Sequence, residues 1–247
     1  MEILEPTPAN LARAGARIAA GGLVALPTET VYGLGADAFN AAAVARVFEA
    51  KARPSFDPLI VHVASAAGAS RVAASIPPKA RALMEALWPG PLTLILPKVE
   101  ELPELVTSGL PSVAIRCPAH PVARAIIEAS GTAVAAPSAN PFGYLSPTRA
   151  EHVARMLGDR VDLIVDGGSC EIGVESTVLD LTREPPRVLR PGGMAREAIE
   201  AAIGPIDFPP PGGGPAGGPG PSPSPGQRAS HYAPRPPRRL VPEGGRG

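Results

Sequence analysis

The chain has 247 residues, of which 45% are hydrophobic and 4% aromatic, with 23 basic and 23 acidic side chains. The hydrophobic share supports a folded globular domain, and the scarcity of aromatic rings argues against a broad base-stacking surface for single-stranded nucleic acid. Residues 209–247 hold five arginines and one glutamate, whereas residues 1–208 hold 18 basic and 22 acidic side chains. A basic tail can contact a polyanion, although a solvated tail is the simpler interpretation.

Short apolar runs and amphipathic stretches interleave along the chain without strict alternation. Hydrophobic periodicity and capping residues predict helices at 8–20, 41–50, 66–75, 78–87, 121–130, 149–157 and 195–203. They predict strands at 23–26, 59–64, 92–96, 113–116, 133–136, 163–165, 176–181 and 188–190. Because consecutive strands occur at 92–116 and 176–190, we expect a mixed sheet flanked by helices.

The composition changes abruptly at Pro209. Residues 209–226 contain only Pro, Gly, Ala and Ser, and such a stretch cannot bury enough apolar surface to fold. We therefore expect a domain at 1–208, a linker at 209–226 and a short polar tail at 227–247. Two cysteines without metal or redox spacing favour a reduced, cytoplasmic setting, and the apolar runs are too short to span a bilayer.

The segment at 27–39 places Thr28 and Tyr32 directly before two glycines. Gly33, Gly35 and Ala38 fit a loose dinucleotide-binding pattern. We reject that interpretation because six residues, most of them polar, separate Gly33 from the preceding strand. A glycine turn between a strand and a helix is the alternative.

Lys51 and Arg53 follow a predicted helix in a loop that contains two prolines. Two cations held close together suit a polyphosphate, while cations that complement a helix C-terminus are the structural alternative. His62 lies inside an apolar strand, where a satisfied core histidine is more common than a ligand-binding one. Arg116 ends a strand, and its fork suits either a bound carboxylate or an internal salt bridge.

Hydroxyl and amide side chains follow other predicted strands. Ser138 and Asn140 directly follow one strand, and Ser146 precedes a helix where it suits either phosphate binding or simple capping. Ser176 opens a strand after a glycine-bearing loop, and Arg190 ends the next strand. Open sheets bind ligands at strand ends, so these groups together predict a site for a nucleotide triphosphate beside a small carboxylate.

Nine motifs occur in the same order as in the YrdC-like family of threonylcarbamoyl-AMP synthases, which the chain resembles over about residues 8–206 and again at 225–234. The motifs are PTETVYGLG (27–35), KARP (51–54), LIVHV (59–63), WPGPLTLIL (88–96), VAIRCPAHP (113–121), APSAN (136–140), SPT (146–148), VESTVLDL (174–181) and LRPG (189–192). The resemblance implies a YrdC-like α/β (α+β) fold, an open twisted mixed sheet of about seven strands flanked by helices.

The resemblance also implies a nucleotidyltransferase that makes threonylcarbamoyl-AMP and pyrophosphate from L-threonine, bicarbonate and ATP with Mg²⁺. Transfer RNA would be reached indirectly, through downstream transferase proteins that build threonylcarbamoyladenosine. Lys51 and Arg53 would be the catalytic residues. The implied ATP-binding residues are Lys51, Arg53, Ser138, Asn140, Ser146, Arg190 and Tyr232. The implied threonine-binding residues are Thr28, Tyr32, His62, Arg116 and Ser176, and no resident metal is implied.

The tail at 227–247 resembles the linker of longer family members, which carries a His-Tyr-Ala-Pro element, here His231–Pro234. We interpret it as the stub of a missing C-terminal domain. Two alternatives stay open at this point: an RNA-binding module, and a paralogue of the same fold with different acyl-adenylate chemistry.

Overall fold

The computed structural model describes residues 1–208 of the chain. The predicted linker, the predicted tail and Tyr232 lie outside the described residues. Seven α-helices and two short 3₁₀-helices, at Ala66–Arg71 and Gly158–Arg160, occur in this part of the chain. The α-helices are α1 (Pro8–Ala19), α2 (Ala41–Lys51), α3 (Pro78–Leu87), α4 (Glu104–Thr107), α5 (Pro121–Ser130), α6 (Ala150–Leu157) and α7 (Arg196–Ile203).

One sheet of ten strands runs through residues 1–208, in the order β1-β8-β2-β3-β7-β4-β6-β5-β9-β10. The strands are β1 (Glu2–Leu4), β2 (Val24–Leu26), β3 (Gly33–Asp37), β4 (Ile60–His62), β5 (Leu92–Pro97), β6 (Ser112–Arg116), β7 (Val134–Ala135), β8 (Leu163–Val165), β9 (Thr177–Asp180) and β10 (Arg187–Arg190). β4 pairs with β6 and β5 with β9 in parallel, whereas β5 and β6 are antiparallel. The expected mixed sheet is confirmed.

The expected number of about seven strands is wrong: the sheet has ten, of which the hydrophobic pattern predicted eight and missed β1 and β3. Within residues 1–208, β1 pairs with β8 alone, and its three residues are too few to form an apolar run that would predict a strand. β3 is the glycine-bearing segment for which a turn was the alternative interpretation. A Cβ on Gly35 would lie 2.9 Å from Val134 Cγ1, so this glycine allows close strand packing instead of a turn.

The helices cover both faces of the sheet. Along β2, Val24 and Leu26 face the helices α1 and α5, while Ala25 joins the larger core cluster on the other face, as strand alternation requires. The predicted helix at 66–75 is instead the 3₁₀-helix Ala66–Arg71, and Ala73 beyond it pairs with Lys98. Within residues 1–208, none of the helices is both long and apolar enough to cross a membrane.

Candidate active site

A cleft opens where the loops after several strands meet. Its wall contains three arginines and one carboxylate, and therefore favours an anionic ligand. The residues that line it are Thr28, Thr30, Val31, Gly33, Arg53, Ile60, His62, Arg116, Ala136, Pro137, Ser138, Glu175, Ser176 and Arg190.

Residues that lie far apart in the sequence meet in this cleft. Seven predicted site residues line the cleft: Thr28, Arg53, His62, Arg116, Ser138, Ser176 and Arg190. Lys51 and Ser146 lie one contact behind the lining, because Lys51 Nζ donates to the Ser138 carbonyl and Ser146 Oγ lies 2.5 Å from Glu175 Oε1.

Two other predicted residues make structural contacts beside the cleft. The Tyr32 hydroxyl donates to the Gly168 carbonyl at 2.7 Å, and burial is the main cause that raises its pKa. Asn140 Nδ2 donates to the carbonyls of Pro141 and Tyr144 at 2.9 and 2.8 Å. The Asn140 bonds shape the loop that follows β7, and the Tyr32 bond holds the loop that follows β8. Both residues therefore support the site from behind the lining.

Arg116 at the end of β6 is held by a buried carboxylate. Its Nη2 lies 2.6 Å from Glu29 Oε1, its Nη1 donates to Thr30 Oγ1 at 2.9 Å, and its Nε donates to the Gly90 carbonyl at 3.3 Å. Glu29 Oε2 also accepts a bond from the Ala119 backbone at 3.1 Å. Burial lowers the pKa of Arg116, and the Glu29 carboxylate opposes that shift. Of the two alternatives for Arg116, the structure therefore contains the internal salt bridge.

Arg116 lines the cleft, so its guanidinium borders the space that a ligand would occupy. Nε and Nη1 donate to Gly90 and Thr30, and the buried Nη2 forms the ion pair with Glu29. The planar fork of a guanidinium matches the two oxygens of a carboxylate.

Thr28 lines the cleft, but its hydroxyl is committed to its own loop. Thr28 Oγ1 donates to the Val31 carbonyl at 2.6 Å and lies 2.9 Å from Thr30 Oγ1. Because Thr30 Oγ1 accepts from Arg116, its proton is free to be donated to Thr28. The series of hydrogen bonds from Arg116 through Thr30 and Thr28 thus ends on the Val31 carbonyl. We call these residues, with Glu29, the Arg116 wall.

A second arginine, Arg190, is held by Ser176, whose hydroxyl contacts Thr93. We call Thr93, Ser176 and Arg190 the Arg190 wall. Arg190 donates to the Ser176 carbonyl through Nε at 3.1 Å and Nη2 at 2.9 Å, and Nη2 also lies 3.1 Å from Ser176 Oγ. Ser176 Oγ lies 2.7 Å from Thr93 Oγ1 on β5. All three residues are buried, so this arrangement is fixed before any ligand arrives.

The two cations that follow α2 are held by the loops they border. Arg53 Nη2 lies 2.9 Å from Asp57 Oδ2, and Arg53 donates to the carbonyls of Asp57 and Pro58 at 3.0 and 2.9 Å. Lys51 is 1% exposed, and its ammonium donates to two carbonyls of the loop after β7. Burial lowers the pKa of Lys51 well below its usual value, and Arg53 lowers it further.

His62 ends β4, directly beside Arg116 in the register of β4 and β6. Burial lowers the pKa of His62 to about 3, and the charge of Arg116 contributes to that shift. The imidazole is therefore neutral near pH 7, so the cleft gains a polar group there without gaining a charge.

Several residues of the site were not predicted from the sequence. Glu29 was visible between two threonines and Asp57 four residues after Arg53, a spacing that could have suggested the ion pair. Thr93 gave no signal, because it lies in an apolar strand and its partner Ser176 is 83 residues away.

A family model for Sua5, YciO and YrdC, described as "Telomere recombination", matches residues 16–192. The chain belongs to the Sua5/YciO/YrdC family. The family that the sequence motifs implied is therefore confirmed.

Named relatives of this family match most of the chain. Threonylcarbamoyl-AMP synthase of Pyrococcus abyssi is 50% identical over 214 residues, which are 87% of this chain and 62% of the relative. Threonylcarbamoyl-AMP synthase of Bacillus subtilis is 50% identical over 229 residues, 92% of this chain and 65% of the relative. The chain thus spans somewhat less than two thirds of the length of these relatives.

Solved structures agree with the family fold. The crystal structure of P. abyssi Sua5 complexed with L-threonine superposes with a TM-score of 0.90 at 47% identity, covering 94% of this chain and 69% of that one. Escherichia coli YciO, at 24% identity and a TM-score of 0.71, covers 81% of this chain and shares the fold. The open mixed sheet is therefore the fold of the family.

Proposed function

We propose that this chain forms L-threonylcarbamoyladenylate and pyrophosphate from L-threonine, bicarbonate and ATP. The observation that carries the proposal is the cleft itself, in which two buried arginines at different strand ends, Arg116 and Arg190, face one space with hydroxyls already in place. The 50% identity to two threonylcarbamoyl-AMP synthases supports the choice of substrates.

The proposed reaction has two steps. The threonine amine combines with bicarbonate and loses water to give a carbamate. A carbamate oxygen then attacks the α-phosphorus of ATP, and pyrophosphate leaves. Because the carbamate is already anionic, the attack needs no strong base, and the protein acts by positioning and by stabilising charge.

The residues of the cleft divide between the two substrates in this proposal. The guanidinium of Arg116 would bind the threonine carboxylate. Arg53, Arg190 and Lys51 would offset the charge of the phosphates, and Ser138 would contact them at the loop after β7. Mg²⁺ would arrive bound to the triphosphate as its counter-ion. The neutral His62 would contact the amino acid without competing for its carboxylate.

ATP–pyrophosphate exchange tests the proposal directly. With bicarbonate present, exchange should depend on L-threonine, and serine, which lacks one methyl group, should give a kcat/KM at least about tenfold lower. Exchange that depends on a different amino acid would identify a paralogue with other acyl-adenylate chemistry. If no acid supports exchange and RNA binds with a steep salt dependence, the RNA-binding alternative replaces the proposal.

Lys51→Met provides a variant that keeps most of the buried aliphatic stem. We expect it to abolish threonine-dependent pyrophosphate release, because the phosphates lose a buried cation beside Ser138. Circular dichroism and the urea midpoint check that the variant is folded. Full activity in a folded Lys51→Met protein would contradict the role given to this lysine.

A further inference from the structure

The direction of the hydrogen bond between Thr93 and Ser176 follows from burial. Thr93 has no exposed surface, and a buried hydroxyl proton without an acceptor costs about 1–3 kcal/mol. Within residues 1–208, the one hydrogen-bond partner of Thr93 Oγ1 is Ser176 Oγ, at 2.7 Å. The proton of Thr93 must therefore be donated to Ser176.

The oxygen of Ser176 then has no lone pair left. A serine hydroxyl accepts two hydrogen bonds and donates one. One lone pair accepts from Thr93, and the other accepts from Arg190 Nη2, which can only donate, at 3.1 Å. The proton of Ser176 finds no acceptor in the described part of the chain, and Ser176 lines the cleft.

We infer that Thr93 is a positioning residue that turns the Ser176 hydroxyl into an obligate donor aimed into the cleft. The group that meets it must offer a lone pair, such as a carboxylate, carbamate or phosphate oxygen. An ammonium group cannot take this position, because it has only protons to offer. The inference rests on the proposed function, and it adds the chemical class of the atom that Ser176 binds.

The contrast with Thr28 supports this reading. Both hydroxyls line the cleft, yet Thr28 donates its proton to the Val31 carbonyl. No comparable backbone acceptor lies at Ser176 in residues 1–208. The hydroxyl proton of Thr28 is therefore already used within the protein, whereas the hydroxyl proton of Ser176 can be donated to a ligand.

Four variants test the inference: Thr93→Val, Thr93→Ser, Ser176→Ala and the double variant Thr93→Val/Ser176→Ala. Valine has nearly the shape of threonine without the hydroxyl, whereas serine keeps the hydroxyl. In Thr93→Val, kcat/KM should fall about three- to tenfold, the loss of one oriented hydrogen bond. Thr93→Ser should stay within about twofold of the wild type. The double variant should match Ser176→Ala, because Thr93 acts through Ser176.

The outcomes separate the two proposals. A loss confined to the KM for threonine assigns the bound oxygen to the amino acid, and a loss confined to the KM for ATP assigns it to a phosphate; both support the orienting role. Wild-type activity in Thr93→Val, or a further loss when it is added to Ser176→Ala, overturns it. An inactive wild type would instead refute the proposed function, so failure of one is distinguishable from failure of the other.

Discussion

The two walls of the cleft each place a pair of hydroxyls beside an arginine, but they present different surfaces to a ligand. In each wall an arginine donates to a hydroxyl, and that hydroxyl contacts a second one: Thr30 and Thr28 beside Arg116, Ser176 and Thr93 beside Arg190. In the Arg116 wall the buried second hydroxyl passes its proton to a backbone carbonyl. In the Arg190 wall Thr93 donates to Ser176, and the proton of Ser176 points into the cleft.

The difference teaches where specificity resides. The Arg116 wall offers a guanidinium that is fixed by Glu29 and suits a planar carboxylate. The Arg190 wall offers a guanidinium and one hydroxyl proton. A ligand that satisfies both walls must carry oxygen acceptors at two points.

The largest effect should come from removing both partners of the buried pair in the Arg116 wall, in the variant Glu29→Gln/Arg116→Met. Truncating a charge that binds a charged ligand costs 2–5 kcal/mol, so we expect kcat/KM for threonine to fall about 1,000-fold. Initial rates of pyrophosphate release measure this. The matched control is Glu2→Gln/Arg13→Met, an exposed pair that should leave the rates unchanged. A loss below about tenfold would show that this wall does not bind the amino acid.

Removing only Glu29 should act on stability. Glu29→Gln leaves the buried Arg116 cation without its carboxylate, and breaking one side of a buried ion pair costs about 3 kcal/mol. Urea unfolding should show a lower midpoint with an unchanged slope. Glu2→Gln, at the surface, should barely move the midpoint. Equal midpoints for the two variants would mean that Glu29 does not support Arg116.

The neutral histidine next to Arg116 should make stability depend on pH. Since the pKa of His62 is about 3 in the folded chain and about 6.5 in the unfolded one, the unfolded chain takes up the proton first as the pH falls. Stability is therefore lost below about pH 6.5, by about 2 kcal/mol from this residue at pH 5. His62→Gln should lose correspondingly less stability between pH 7 and pH 5. An identical pH dependence in both proteins would contradict the low pKa.

The smallest effects should separate the hydroxyls of the two walls. Thr30→Val removes the acceptor of a buried Arg116 N–H, so it should lower the free energy of unfolding by about 1 kcal/mol. Thr93→Val leaves no buried donor without a partner and should change it by less. Urea unfolding of both variants side by side measures the difference. A Thr93→Val protein as unstable as Thr30→Val would show that both walls are structural.

Local signals predicted the elements that have clear ends. Helices α3 and α5 begin and end as expected because each opens on a proline, and α5 stops at Gly131, which has a φ of 66°. β3 escaped prediction because its glycines interrupt any apolar run, although it pairs with the nearby β2. Its other neighbours, Val134 and Ala136, lie far along the chain and leave no local pattern in the sequence.

The same distinction between local and distant signals holds for the candidate site. That Arg116 and Arg190 meet in one cleft could be predicted, because both end strands and strand ends gather at the edge of an open sheet. Their partners could not, since whether Arg116 meets Glu29 or a ligand depends on how the loop at 28–30 folds back. The role of Thr93 depends on proton direction, which follows only from burial and distance.

The floor of the cleft has a practical consequence for redesign. Gly33 and Ala136 both line it, and a Cβ on Gly33 would lie 3.3 Å from the Ala136 Cβ. With almost no side chain left to trim there, a library that seeks to admit bulkier amino acids gains nothing from shortening these two positions. Extra space has to come from Val31 or Ile60, the larger apolar residues of the lining, whose truncation leaves both arginines in place.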